Sequence, residues 1–126
     1  MNQKIYSFWE AVATQNEKQL RTYFDPKATI YWQDSNEQFS VEHFIIANCK
    51  YPGVWQAQIN KLIKIQENQY MTVTYVEETN EHFSSYAISF FEFKDEKICR
   101  LEEYWTENSD PPEWRKKLKI GKPIND

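Results

Sequence analysis

The chain has 126 residues, room for one hydrophobic core and no more, so a single domain spanning 1–126 is expected. Its net charge of -4 repels a phosphate backbone, and its two glycines, Gly53 and Gly121, leave no glycine-rich loop to cradle a nucleotide, which excludes nucleic acid, P-loop and dinucleotide functions. Aromatic residues reach 17%, enough to fill a core and also to line a pocket or a partner surface. Met1-Asn2-Gln3-Lys4 runs directly into an amphipathic pattern, with no signal-peptide core and no apolar run long enough for a bilayer. A soluble, cytoplasmic chain without a membrane partner is expected, with Cys49 and Cys99 reduced and partly buried.

Ile5, Phe8, Trp9, Val12 and Ala13 recur at helical spacing and predict a helix over about residues 3–14. Asn16 caps a second helix whose stripe continues through Leu20, Tyr23 and Phe24 until Asp25-Pro26 stops it, since proline disfavours helix at the residue before it. Alternation over Ala28 to Gln33 predicts a short strand with Ile30 and Trp32 on one face. Ser40 then caps a third helix carrying Val41, Phe44, Ile45 and Asn48, and Tyr51-Pro52-Gly53 ends it.

From Val54 to about Glu107 the period is two, in four runs separated by turns near Asn68, Asn80 and Asp95, which predicts an antiparallel meander. In the first run Trp55, Ala57, Ile59, Ile63 and Ile65 share one face, with mostly Gln, Asn and Lys opposite apart from Val54 and Leu62. In the third, Ala87, Phe91 and Phe93 oppose Tyr86, Ile88 and Phe90, so both faces need cover: helices on one, a second subunit on the other. Asp110-Pro111-Pro112-Glu113-Trp114 starts a short basic helix with Arg115, Lys116, Lys117, Lys119 and Lys122 at the C-terminal end, read as a solvated helix end. Helices followed by strands argue for an α+β domain with the helices on one face of a curled sheet.

This element order, with Phe24-Asp25-Pro26, Tyr51-Pro52-Gly53-Val54-Trp55, Glu103-Tyr104-Trp105 and Pro112-Glu113-Trp114-Arg115, resembles the nuclear transport factor 2-like (SnoaL-like) superfamily over about residues 4–117. The resemblance implies a cone in which three N-terminal helices and a strongly curved mixed or antiparallel sheet enclose an apolar cavity, a short C-terminal helix, and a homodimer through the sheet. Relatives range from ketosteroid isomerase, limonene-epoxide hydrolase, scytalone dehydratase and polyketide cyclases to non-catalytic transport and scaffold proteins, so fold alone does not choose a function.

Leu101, Glu103 and Trp105 alternate onto one face of the last strand, and the resemblance to the epoxide hydrolases turns that face toward the cavity. Glu103 is the acid-base candidate, because a carboxyl desolvated among Trp and Leu holds its proton near neutral pH; the same position also suits a buried ion pair to Arg115 or to the start of the last helix. Alternation through Met71, Val73, Tyr75 and Glu77 offers a second inward carboxylate, although Glu77 and Glu78 also read as a solvated loop edge. Where ketosteroid isomerases carry their catalytic Asp this chain has Trp32, with Asp34 two residues on in what reads as a turn, so the isomerase mechanism is not supported.

His43 and His82 read as surface residues, Cys99 has no adjacent His to activate it, and the two histidines and two cysteines lack any close-spaced ligand pair; no metal or cofactor is assigned. Trp32, Trp55, Tyr75, Leu101 and Trp105 are the candidate ligand contacts. Trp114 and Arg115 are read as locking the last helix onto the sheet. Two functions follow: a binder of a small apolar molecule, with cofactor-free acid-base catalysis through Glu103 as its enzymatic form, or an assembly module whose aromatic side chains fill the cavity. Whether the chain is an enzyme stays open at this point.

Overall fold

The computed structural model describes residues 1–81 and 83–125. Helices α1 (Asn2–Ala13), α2 (Glu17–Arg21) and α3 (Val41–Cys49) interleave with strands β1 (Phe24–Trp32) and β2 (Glu37–Ser40), followed by β3 (Trp55–Gln66), β4 (Gln69–Glu78), β5 (Phe83–Lys94), β6 (Lys97–Glu107) and α4 (Glu113–Lys116). The six strands form one open sheet in the order β2-β1-β6-β5-β4-β3, parallel only between β1 and β6. This is the α+β architecture expected, with the meander of β3 to β6 intact and β2 added at the edge beside β1. Among the described residues, no helix is long and apolar enough to cross a membrane.

Local signals set most boundaries. The Asn16 side chain accepts from Gln19 N at 3.0 Å and the Ser40 hydroxyl from His43 N at 3.3 Å, satisfying amide donors that open each helix. Asn68, Asp95 and Glu96 take positive φ in the hairpin turns. The second helix stops at Arg21, earlier than its apolar stripe: Phe24 already belongs to β1, and Asp25-Pro26 lies where the pairing of β1 with β6 is interrupted, so the proline displaces no ladder bond there.

The helices cover the inner face of the sheet. Phe8 of α1 is buried in a ring of perpendicular aromatic contacts with Trp9, Tyr23, Phe24 and Phe91, at centroid distances of 5.7, 6.2, 5.9 and 5.4 Å. Phe24 and Phe44 pack together at 5.6 Å and tie α3 to β1.

Two face assignments differ from the alternation, and the C-terminal helix differs from its expected docking. In β3 a bulge at Asn60 puts an extra residue opposite β4, so Trp55, Ala57 and Ile59 face inward but Leu62 follows them, and Ile63 and Ile65 turn out to solvent. In β4 the inner face is Tyr70, Thr72, Thr74, Val76 and Glu78, which places Met71, Val73, Tyr75 and Glu77 on the outside. The C-terminal segment is exposed: no residue of α4 is buried, and Trp114 is 64% exposed with the Arg115 guanidinium 5.8 Å from its ring, so it is not packed into the sheet as a lock would be.

Candidate functional site

A polar row crosses the otherwise apolar inner face. Register places Trp32 beside Glu103, Glu103 beside Ser89, and Ser89 beside Thr72 on four successive strands, all facing the helices. Thr72, Ser89 and Glu103 are buried, and Trp9 of α1 reaches down to donate its indole N–H to Thr72 Oγ1 at 3.2 Å. Glu103 Oε1 accepts from Trp32 Nε1 at 3.1 Å and Oε2 from the Ser89 hydroxyl at 2.6 Å. No ion pair to Glu103 exists among the described residues, so the alternative partner, Arg115, is not what holds it.

Burial pushes the Glu103 carboxyl up to about 7; the hydrogen bonds from Ser89 and Trp32 pull it back only in part, and Asp34 adds repulsion. The Trp105 indole favours the same carboxylate electrostatically, although its buried N–H lies outside hydrogen-bond geometry to any partner. A carboxyl in this condition exchanges its proton near neutral pH.

Next to this row lies a cavity of about 450 Å³. Trp32, Trp55 and Trp105 line it together with Tyr51 and Phe83, Val12 and Ala13 of α1 form another part of its wall, and Asp34, Glu37 and Glu107 contribute carboxylates. The rings stand as corners: Trp32 and Trp105 at 6.4 Å and 73°, Tyr51 and Trp55 at 5.0 Å and 89°, Trp55 and Phe83 at 6.0 Å and 87°. The helical side is held by Gln15, whose side-chain amide donates to the carbonyls of Asn48 and Tyr51, and by Asn48, which donates to Val12 O. A second depression, about 550 Å³ between α1 and β3, is more polar and open to solvent, with Tyr6 and Glu10 in its lining.

Of the candidate contacts, Trp32, Trp55 and Trp105 stand in the cavity wall, while Leu101 is fully buried in the core beside Phe91 and Tyr75 lies on the outer face of the sheet with its hydroxyl on Glu77. Glu103 does not line the cavity; it sits behind Trp32 and holds the indole. Asp34 accepts from the backbone N–H of Trp105 at 3.0 Å, so it is both turn residue and cavity residue. The inward carboxylate at the end of β4 is Glu78 rather than Glu77, and it serves the fold: it accepts from the backbone amides of Val54, Asn80 and Glu81, each at 2.6 Å. His43 is exposed, His82 lies outside the described residues, and the Cys49 and Cys99 thiols are both held up by burial.

Gly53 positions the Trp55 corner. Its φ of +126° is foreign to side-chain-bearing residues, and a Cβ there would stand 2.7 Å from Glu78 Cγ and 3.0 Å from Trp55 Nε1. Gly53→Ala is expected to cost about 1 to 3 kcal/mol in urea unfolding and to shift the Trp55 fluorescence, the sum of backbone strain and displacement. A loss below about 0.5 kcal/mol, with unchanged emission, would show that the loop tolerates a side chain.

No protein-family model matches the sequence, and a search of curated proteins finds no match. Solved structures with the same fold are numerous. An NTF-2 like protein of unknown function from Burkholderia xenovorans LB400 is 17% identical with a TM-score of 0.77, over 98% of this chain and 94% of that one. A provisionally assigned ketosteroid isomerase from Kribbella flavida DSM 17836 is 14% identical with a TM-score of 0.77, over 98% and 88%. A protein of ketosteroid isomerase-like fold from Catenulispora acidiphila DSM 44928, solved in complex with trimethylamine, is 11% identical with a TM-score of 0.70, over 82% and 85%. Epoxide hydrolase-like and SnoaL-like cyclase proteins share the fold as well. The chain therefore has the nuclear transport factor 2-like cone fold, a fold that serves several activities.

Proposed function

We propose that this protein binds a small molecule with a largely apolar body, using Trp32, Trp55 and Trp105 as its contact surface. The carrying observation is the cavity of about 450 Å³ walled by aromatic rings, a volume in the range of small-molecule sites and far above the water-sized voids of a filled core. That space weighs against the assembly module with a filled interior. The neighbour in complex with trimethylamine supports the same reading by showing this fold holding a small ligand. We extend the proposal to a homodimer packed through the outer face of the sheet, where Met71, Val73, Tyr75, Ile88 and Phe90 form a half-buried apolar surface.

Catalysis is the second reading, and its support is the Glu103 proton held near neutrality. Cofactor-free isomerisation, dehydration, cyclisation or epoxide opening would all use such a group. Binding ranks first because both Glu103 oxygens are engaged by Trp32 and Ser89 behind the cavity wall.

The test is a ligand-detected thermal shift over small ketones, lactones, epoxides, aromatic acids and amines, since a ligand that binds only the folded state raises Tm. The expected result is a rise with one chemical class that disappears in Trp105→Ala or, if that variant does not fold, in Trp55→Leu. No rise with any class would remove the binding reading. Turnover of a binding compound that is lost in folded Glu103→Gln would favour the enzyme, and turnover indifferent to that change would clear Glu103 of the chemistry.

A further inference from the structure

The cavity lining has a one-sided chemistry that an apolar ligand alone does not require. Five of its side chains are aromatic, three are carboxylates, and among the described residues none is Lys, Arg or His. In a chain with fifteen basic residues that segregation is a property of the site. We propose that the ligand carries an organic cation, an alkylated ammonium group seated against Trp32, Trp55 and Trp105; this rests on the binding reading above and names its substrate class.

Three observations converge on it. Indole is the best side-chain face for a cation, and the near-perpendicular pairs at 73° and 89° give corners in which a cation meets two ring systems together. Behind the wall, the Trp32 N–H donates to the Glu103 carboxylate. In its ionised form Glu103 polarises the donor and leaves the indole ring richer in electron density, so Glu103 acts as a positioning residue whose anionic form also strengthens the face presented to the cavity. Finally, Asp34, Glu37 and Glu107 are exposed and none is in an ion pair among the described residues, so their negative charge stands over the cavity without a paired cation among them. An anionic ligand would meet carboxylates without a counter-charge. A neutral one would gain only from the rings. A soft, weakly hydrated cation gains from rings and carboxylates together.

The discriminating probe is choline against its neutral isostere, the alcohol in which a tert-butyl group replaces trimethylammonium, both titrated into the full chain by calorimetry and by tryptophan fluorescence. The two differ in charge and hardly in shape. Choline is expected to bind at least about tenfold more tightly, the scale of one partly desolvated cation–π contact, and to weaken with added salt. In the triple variant Asp34→Asn, Glu37→Gln, Glu107→Gln, altered only at exposed positions, the preference for choline over the alcohol is expected to fall several-fold. Trp55→Leu, checked for folding by circular dichroism, is expected to reduce the preference as well.

Equal or tighter binding of the alcohol would overturn the cationic assignment and leave the small-molecule reading standing. A choline preference untouched by both variants would also overturn it, because the cation would then sit elsewhere. Failure of both compounds, and of every neutral compound in the thermal-shift panel, would remove the binding reading and this inference with it.

Discussion

Glu103→Gln is expected to make the protein more stable than its parent at about pH 8 by about 3 kcal/mol and no more stable at about pH 4, where the parent carboxyl is neutral in both states. The folded chain holds this carboxyl at about 7 against an ordinary 4.5. The folded state therefore binds the proton more tightly than the unfolded chain. The contribution of Glu103 to stability is greatest below 4.5, falls as pH rises from 4.5 to about 7, and levels off above it. The groups facing Glu103 are Trp32 from β1, Ser89 from β5, Trp105 of its own strand and Asp34 beyond β1; of these only Asp34 carries charge, and its repulsion adds to burial.

Glutamine keeps the shape and the hydrogen bonds of the neutral acid: its carbonyl accepts from Trp32 and its amide donates to the Ser89 hydroxyl, which can rotate to accept. Urea unfolding of both proteins across this pH range isolates the Glu103 contribution as the difference between two profiles, so the other titrating groups cancel. Parallel profiles would mean that Glu103 is solvated in the folded state. That result would also take away the proton held near neutrality on which the catalytic reading depends.

What the sequence reveals of this site follows from where polarity and apolarity compete. The order of elements was legible because Asn16, Ser40, Asn68 and Asp95 mark caps and turns through their own side-chain and backbone chemistry. Glu103 stood out because one carboxylate interrupts Leu101 and Trp105 on the inner face of β6. The faces of β4 were misleading for a physical reason: its outer side carries Met71, Val73 and Tyr75, more apolar than the threonines buried inside, so the hydrophobic pattern pointed outward. Thr72 with the Trp9 N–H and Ser89 with Glu103 make two adjacent buried polar pairs, and the signal for them was the spaced Thr72, Thr74, Ser85 and Ser89 in strands otherwise rich in large apolar residues. The bulge at Asn60 has no comparable signature, since a single inserted residue inverts every later side chain without altering composition. The carboxylates of the cavity come from two separated segments, Asp34 and Glu37 from the hairpin of β1 and β2 and Glu107 from the end of β6, and only tertiary structure brings them together.

Phe8→Ala is expected to destabilise the protein by about 3 to 5 kcal/mol, a large part of the stability of a domain this size. Phe8 is 1% exposed and serves as the hub of four perpendicular ring contacts, two of them to Tyr23 and Phe24 where the chain passes from α2 into β1, and one to Phe91 in the centre of the sheet. Alanine removes the whole ring and leaves a space that Trp9, fixed by its bond to Thr72, cannot fill without giving up that bond. One turn further along α1, Val12 and Ala13 form part of the cavity wall, so loosening the helix should weaken ligand affinity even where the variant stays folded. Trp114→Ala provides the contrast. It deletes a larger ring from an exposed position and should change stability by less than about 0.5 kcal/mol. Urea unfolding measures both. A loss below about 1 kcal/mol for Phe8→Ala would show that α1 is anchored by its other contacts, with the cavity wall independent of this aromatic hub.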